Sequence, residues 1–498
     1  MMIMDSNQSQ RQVRTRFAPS PTGRTHLGSG RTALYNYLLA RQTGGQFILR
    51  IEDTDQKRYV PGAEEELIES LKWLGLVWDE GPDIGGPYGP YRQSERRDIY
   101  QKYATELVDK GHAYYCFCAQ TEDIQDDKRN RKHRDICPSR DLNINMAKER
   151  VENGETHVIR FRMPDIGTIT AIDALRGSIT VENNSLDDTV LMKSDGLPVY
   201  HLAVVVDDHL MKITHVFRTS EWLPTFPLHA HLYQAFGWKQ PVWIHPSIFL
   251  KPDGKGKMSK RDTDRMMESG KSIFLGDMQE LGYLPEAVVN WAVLMGWSYD
   301  DHTEFFTMED LIDKFNIQKL NPSPAAINFS KLDHFNGLHI RNLDVNDLAT
   351  RLLPFFEKAG INPDMSTLQK IAKILHVRLV TLDEAVDKAG FFFQDDVHPA
   401  PEDLIAKNLT AKESADLAKR AYVLLAGLPD ISHDSAEQPM RNLAEQMGVK
   451  VGQLFHVVRV AVTGQRVSPP LFESMEIIGR EKSLSRIESA VKILESLP

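Results

Sequence analysis

The sequence predicts an α/β unit built on a parallel sheet, an α+β insertion within it, a mixed region after it, and an all-α C-terminal domain. Three observations carry that prediction. Strand-like and helix-like patterns alternate from Arg14 to about His112, the signature of helices packed on a parallel sheet. Short strands and turns replace them between Ala113 and about Pro198, after which apolar strand-like runs return. Beyond about Phe335 the pattern is almost purely helical.

The elements follow in order. "VRTRFA" alternates Val13, Thr15 and Phe17 with arginines, the period of a half-buried strand. "PSPTG" makes a stiff turn, His26 follows, and Gly28-Ser29-Gly30 opens into a helix with Leu34, Tyr37, Leu38 and Arg41 on one face. The first turn of a helix carries unpaired N–H groups and partial positive charge, and glycines let a ligand approach closely. An anion, phosphate above all, is expected there. "GSGRTA", Gly28 to Ala33, matches the dinucleotide pattern G-x-G-x-x-A, with Glu52 where a ribose-binding carboxylate would stand. An NAD-dependent oxidoreductase is therefore one reading, although it leaves His26 and the proline-rich turn without a role. No G-K-[ST] follows, which excludes an ATP-binding P-loop.

"QFILRI" reads as a buried strand, and "GAEEELIESLKWLGL" as a helix with Leu67, Leu71 and Leu74 on its stripe. After the Gly/Pro-rich crossing "EGPDIGGPYGPYRQ", a third helix starts near Ser94 and stops at Gly111. In the insertion, "THVIRFRMP", "GSITVE" and "DTVLMKSDG" read as short strands. Apolar strand runs resume in "PVYHLAVVVDDHLMKITHVFRTSEW", each ending in polar residues. Ligands of open α/β sheets sit at the carboxyl ends of strands, so Asp207, Asp208, Arg218 and Glu221 are the next candidates.

Composition bounds the function. The 498 residues are 41% hydrophobic and 26% charged, ordinary for a globular chain with several cores. No apolar stretch is long enough to span a bilayer and "MMIMDSNQSQ" lacks the features of a signal peptide, so a cytoplasmic protein without membrane contact is expected. Three cysteines argue against a disulfide framework. They cluster, with His133 four residues before Cys137 and Cys116 and Cys118 upstream, as a zinc site would, but without a C-x-x-C knuckle. A net charge of −10 does not advertise nucleic-acid binding. Any basic patch is local, as in "KRNRKHR" from Lys128 to Arg134.

"KMSKR", Lys257 to Arg261, lies in the cationic, glycine-rich loop "KPDGKGKMSKRD". Three cations within five residues repel one another unless an anion lies among them, and Gly254 and Gly256 allow the loop to close over it. "PSPTGRTHLGS" followed by "KMSKR" resembles the two signatures of class I aminoacyl-tRNA synthetases, and a dehydrogenase has no use for the second. "RFAPSPTG", "RIEDTD", "GPYRQSER", "LMKSDGLPVYHLA", "VVDDHLM" and "FRTSEWL" are together similar to the glutamyl-tRNA synthetase family of bacterial or organellar type. The closing "RVAVTGQRVSPPLFESMEIIGRE" resembles the end of that family's helical anticodon-binding domain. The similarity runs from about Val13 to the C-terminus. The Pro-Glu-Pro-Asn-Gly turn of glutaminyl-tRNA synthetases is absent.

The resemblance implies a Rossmann-like catalytic domain over residues 13–112 and 199–236, an insertion over 113–198 that binds the tRNA acceptor end, a stem-contact region over 237–335 carrying KMSKR, and a helical anticodon-binding domain over 336–498. It implies that glutamate and ATP, with Mg2+, form glutamyl-adenylate and pyrophosphate, and that the terminal adenosine of tRNA(Glu) then takes the acyl group. His26, Lys257 and Lys260 would be catalytic. ATP would be held by His26, Gly28, Ser29, Glu221 and Lys257, Met258, Ser259, Lys260 and Arg261. Glutamate would be held by Arg16, Ala18, Ser20, Glu52, Tyr200, Arg218 and Trp222, with a planar guanidinium fork suited to its side-chain carboxylate. Two departures stand out. Val204 replaces an Asn that contacts substrate in many members, and Ser139 stands where the zinc-binding members place a His, so no metal is assigned from sequence. A monomer is expected, and glutamylation of tRNA(Gln) as well as tRNA(Glu) stays open.

Overall fold

In the computed structural model the chain is described over residues 12–118, 132–256 and 260–498. It divides into two compact units: one runs through Met278 and resumes over Val288–Phe329, and the other comprises Gln279–Ala287 and Ser330–Pro498.

The first unit contains the predicted parallel sheet. Strand β1 (Arg14–Phe17) pairs in parallel with β2 (Gln46–Leu49), Arg16 opposite Ile48, and the helix Leu27–Gln42 connects them. β1 is not half-buried: Thr15, Arg16 and Phe17 are all buried in sequence. Parallel strands are covered on both faces, so a side chain on either face leaves water. Its helix likewise buries more than one stripe, including Arg31, Tyr35 and Leu39 beside Leu34 and Leu38, while Tyr37 and Arg41 stay half-buried.

The segment read as an insertion contributes to two sheets. β3 (Ala113–Cys116), β4 (Val158–Phe161) and a later β7 (Val190–Met192) form an antiparallel sheet, in the order β3-β4-β7. Between β4 and β7, β5 (Thr168–Asp173) and β6 (Gly177–Glu182) make a hairpin. β5 then aligns in parallel with β9 (Val242–Ile244), Asp173 opposite Trp243, and β9 with β8 (His215–Phe217). β8 joins the opening strand through Thr214, whose N–H donates to the Arg14 carbonyl at 2.9 Å. This order carries Asp173, Arg218 and His245 to neighbouring strand ends.

One element is of a different type from the sequence reading. "YHLAVVVDDHL" is a helix, Tyr200–Leu210, rather than a strand. Leu202 to Val206 are buried together with Asp207 and Asp208, and a helix apolar on all sides has no 3.6-residue period to detect. The predicted third helix is present as a 3-10 turn over Gln93–Arg96 followed by the helix Arg97–Asp109.

The second unit is helical throughout its described residues from Val345 onward. Asp344, Asp364 and Ser432 cap the starts of Val345–Lys358, Met365–Leu375 and His433–Gln446, and Thr410 with Glu413 forms a capping box for Ala411–Gly427. One apolar core gathers Leu348, Leu352, Phe356, Leu368 and Ile371, and another Leu417, Ala421, Val457, Val458 and Ile487. No helix among the described residues is long and apolar enough to cross a membrane.

Candidate active site

The expected anion position begins at His26. Its extended backbone caps the helix Leu27–Gln42, and its Nδ1 accepts from the N–H groups of Gly28 at 3.0 Å and Ser29 at 3.4 Å. An accepting Nδ1 fixes the neutral tautomer with its proton on Nε2, which lies 3.4 Å from the Ser29 hydroxyl. A Cβ on residue 28 would come within 2.9 Å of the imidazole, so glycine is what lets the ring fold back. The N–H groups of Gly28 and Ser29 are thus engaged by the protein's own cap, and that of Leu27 donates to the Ile273 carbonyl at 2.7 Å.

Beside it lies a buried ionic network. Arg16 Nε and Nη2 reach the two oxygens of Asp208 at 3.1 and 3.3 Å, and its Nη1 donates to the Phe217 carbonyl at 3.3 Å. A guanidinium has five N–H donors, so one remains on each Nη. Arg50 joins Asp208 at 2.8 Å to Glu52 at 3.0 Å, and Arg96 with Gln93 and Tyr100 holds Asp207. Burial pushes the Glu52 carboxyl up to about 6, against the pull of Arg50 and Arg16.

Arg218 differs from these arginines. It is 5% exposed, yet no carboxylate hydrogen-bonds it. Its Nε donates to His245 Nε2 at 2.8 Å, its Nη1 bonds His229 Nδ1 at 2.7 Å, and its Nη2 has no hydrogen-bond acceptor among the described residues. The guanidinium lies over the Trp243 ring at 4.7 Å. Tyr200 lies beside it, and burial lowers the Arg218 pKa from its ordinary value. A buried cation with a donor left over is an unfinished ion pair. Its missing partner is an anion with an acceptor oxygen. Tyr200 packs at a tilt against half-exposed Trp222, with centroids 4.4 Å apart, to wall this space.

The chain that carries this site is similar to known proteins. Residues 12–334 match the family model of the class I tRNA synthetases (E and Q) catalytic domain, and residues 347–491 that of an anticodon binding domain. The chain is 45% identical to the glutamate–tRNA ligase of Chloroflexus aurantiacus, over 97% of this chain and 98% of that one. The chain belongs to the glutamate–tRNA ligase family. It is 44% identical to the Dehalococcoides mccartyi (strain CBDB1) member over 98% of this chain and 99% of the relative. The crystal structure of a glutamate tRNA ligase from Elizabethkingia meningosepticum, in complex with its amino acid, superposes with a TM-score of 0.87 at 36% identity, covering 97% and 99% of the two chains. Membership removes the oxidoreductase reading of "GSGRTA".

Within this family member, the structure brings together Arg16, Glu52, Tyr200, Arg218 and Trp222. Ala18 is half-buried and Ser20 exposed on the turn after β1. Glu221 is exposed in the 3-10 turn Ser220–Thr225 with Trp222. Of the second signature, Lys257, Met258 and Ser259 lie outside the described residues. Lys260 and Arg261 begin the helix Lys260–Glu268, and their side chains lie outside the description too. Gly254 and Gly256 before them adopt φ of 73° and 83°, which favours glycine. Val204 is buried in the apolar core and reaches no polar network. A cavity of about 430 Å³ is lined by Asp53, Gln56, Tyr59, Glu64, Arg92, Ser94, Arg97 and Leu197 and contains none of the expected substrate ligands. Residue patterns did not single out these positions, although "RIEDTD" and "GPYRQSER" carry Asp53, Arg92 and Ser94. They also missed Arg50, Asp173, His229 and His245, which act only through spatial neighbours.

The family member's three cysteines and His133 converge. Cys116 Sγ lies 3.7 Å from Cys137 Sγ and 3.4 Å from His133 Nε2, Cys118 Sγ lies 3.4 Å from Cys137 Sγ, and all four ligand atoms fall within 4.8 Å of one another. Ligands about 2.3 Å from a tetrahedral zinc stand about 3.8 Å apart. The donor set therefore fits zinc. Ser139 Oγ also lies near, 3.8 Å from Cys118 Sγ, and accepts from the Phe117 N–H. His133 supplies a nitrogen that Ser139 cannot. Of the basic run beside them, Lys128 to Arg131 lie outside the described residues.

Proposed function

We propose that the chain joins L-glutamate to tRNA(Glu) in two steps at the expense of ATP, used as its Mg2+ complex. The observation that carries this reading is the unfinished ion pair of Arg218. Its Nη2–H would take one oxygen of the glutamate side-chain carboxylate, with the spare N–H groups of Arg16 close behind. Glutamine would place a carboxamide there, with one acceptor fewer and no charge, and so would bind more weakly. Glu52 would accept from the substrate ammonium, and Ala18, Ser20, Tyr200 and Trp222 would wall the amino acid.

The α-carboxylate would then face the helix start. One of its oxygens bonds to the α-phosphorus of ATP as the bond to the bridging oxygen breaks, releasing pyrophosphate. His26, with Nε2 as donor, Gly28 and Ser29 would hold the phosphates, and Glu221 the adenosine. Lys257, Met258, Ser259, Lys260 and Arg261 would close on the leaving pyrophosphate. In the second step a ribose hydroxyl of the terminal tRNA adenosine loses its proton and bonds to the acyl carbon, and AMP leaves. No enzyme nucleophile is needed. Positioning and charge stabilisation suffice.

By the same reading residues 113–198 would meet the acceptor end, 237–335 the stem and 336–498 the anticodon, and the protein would work in the cytoplasm, where translation takes place. Cys116, Cys118, Cys137 and His133 would hold a structural zinc, four protein ligands leaving no open position for catalysis. ATP–pyrophosphate exchange with glutamate, glutamine and aspartate, each with and without tRNA, tests the assignment. Exchange with glutamate alone is expected. Exchange with none of the three, or with aspartate in preference, overturns it.

A further inference from the structure

Arg218 sits at the centre of a chain of hydrogen bonds that leads away from the pocket on both sides. On one side its Nε–H meets His245 Nε2 at 2.8 Å, and His245 Nδ1 lies 2.6 Å from Asp173 Oδ2. On the other, its Nη1 meets His229 Nδ1 at 2.7 Å, and His229 Nε2 lies 3.0 Å from His201 Nδ1. Asp173, His229 and His245 are buried to 1% exposure or less. The other oxygen of Asp173 accepts from the N–H groups of Leu175 and Arg176, each at 2.9 Å, so the carboxylate is itself pinned to the β5–β6 turn.

Arginine donates and never accepts. That rule propagates outward. His245 Nε2 must be a bare acceptor, so the His245 proton is on Nδ1 and points at Asp173. His229 Nδ1 must also be bare, so its proton is on Nε2 and points at His201, whose Nδ1 accepts in turn. One guanidinium thereby dictates the tautomers of three histidines. A proton added to His229 or His245 would set N–H against N–H and cation against cation.

We propose that Asp173, His245, His229 and His201 are positioning residues which lock Arg218 in one orientation, engaging Nε–H and one N–H of Nη1 so that the Nη2 edge, left without an acceptor, is presented to the substrate carboxylate. The proposal rests on the reading that Arg218 binds that carboxylate, and it adds how the specificity of that contact is built. A neutral imidazole suits the task better than a carboxylate would. An Asp or Glu at either position would complete the ion pair and leave the substrate nothing to neutralise, whereas a neutral acceptor fixes geometry and leaves the charge unspent. Burial and the nearby Arg218 charge push His201 down to about 4 and His229 well below its ordinary value, which keeps both neutral. Burial lowers His245 as well, although Asp173 opposes it. Tyr200, Phe226 and Trp243 surround the chain with rings rather than acids.

The test uses the full-length protein with saturating tRNA, comparing His229→Leu and His245→Leu with His229→Gln and His245→Gln in ATP–pyrophosphate exchange. Each Leu variant removes an acceptor from a charged donor and is expected to raise the glutamate KM roughly ten- to a hundred-fold, with kcat and the ATP KM changed far less. The Gln variants, whose side-chain carbonyl accepts the same N–H, are expected to recover most of the loss. Leu variants with an unchanged glutamate KM, beside an Arg218→Ala variant that loses glutamate, overturn the proposal and leave the role of Arg218 standing. An unchanged KM in Arg218→Ala overturns that role itself. Gln variants as impaired as Leu would show packing rather than hydrogen bonding and overturn the proposal too. Nitrogen-15 NMR of the unmutated protein, labelled in histidine, is independent of whether any variant folds: a proton on Nδ1 of His245 is expected, and an Nε2-protonated or doubly protonated His245 contradicts the chain.

Discussion

Arg218 and Arg16 are both buried arginines on adjoining strand ends, and they differ in their partners: Arg16 has Asp208, whereas Arg218 has the neutral side chains of His229, His245 and Tyr200. Arg218→Ala is therefore expected to weaken glutamate use by roughly 2–5 kcal/mol, the scale for removing one member of a buried charge pair, while the apparent affinity for ATP moves little. Steady-state exchange kinetics check this. Glu52 gives a pH prediction. Burial holds its carboxyl up at about 6, and the ionised form is the one that accepts the substrate ammonium. As pH falls through about 6 the carboxylate protonates, so kcat/KM for glutamate should fall with an acidic limb there and not in the ordinary carboxylate range. Glu52→Gln should lower kcat/KM and abolish that limb. The folding linkage has the opposite sign: a raised acid pKa means the native state binds the proton more tightly, so this group's contribution to stability declines as pH rises towards 6. "RIEDTD" contains both Glu52 and its partner Arg50, but their hydrogen bond and the burial that raises the Glu52 pKa are visible only in space.

At the scale of elements, the cysteine cluster and the signature loop each make a claim. Cys116 and Cys118 end β3 and the turn after it, whereas His133 and Cys137 come from the short helix His133–Ile136 and its end. Zinc across them would staple two segments that are separated in sequence. Metal analysis of protein purified without added zinc is expected to give near one equivalent, lost in Cys118→Ser together with part of the thermal stability. The loop prediction concerns Lys260. If it meets the triphosphate only as pyrophosphate separates, it lowers the barrier without tightening the ground state. Lys260→Ala should then slow adenylate formation about a hundred- to a thousand-fold, the scale for losing one preorganised electrostatic partner, with a much smaller change in ATP affinity. Pre-steady-state measurement separates the two, and a variant that merely needs more ATP contradicts this transition-state role. The elements themselves were unevenly legible. The helix Arg97–Asp109 ends at Gly111 as its sequence indicates, because a helix stop is local chemistry. Tyr200–Leu210 read as a strand because its valines favour one and its burial leaves no polar face to betray the turn.

For the whole molecule, the helical second unit has two apolar cores of its own. A fragment ending near Phe335 is expected to remain folded but to charge tRNA poorly, since it lacks the helices proposed to contact the anticodon. Aminoacylation by fragment and full chain at equal tRNA concentration measures this, and equal efficiency contradicts the anticodon role. The fragment retains Gln279–Ala287, whose Leu284 and Ala287 pack with the second unit, so some loss of solubility is expected as well.

The sequence by itself determined the class of fold, the helical C-terminal third, the family and the residues that carry its signatures. Those are properties of local pattern: turn chemistry at Pro19 to Gly23, glycines at a helix start, cations crowded into five residues. Only the tertiary structure decided what each charge does. Arg16, Arg50, Arg96 and Arg218 look alike along the chain, and their difference lies in partners 2 to 192 residues away, or, for Arg218, in the absence of an acidic one. His133 likewise joins the cysteine cluster only through the approach of its Nε2 to Cys116, 17 residues distant. Electrostatic roles depend on burial and on the sign of the nearest neighbour in space, and neither is written in sequence order.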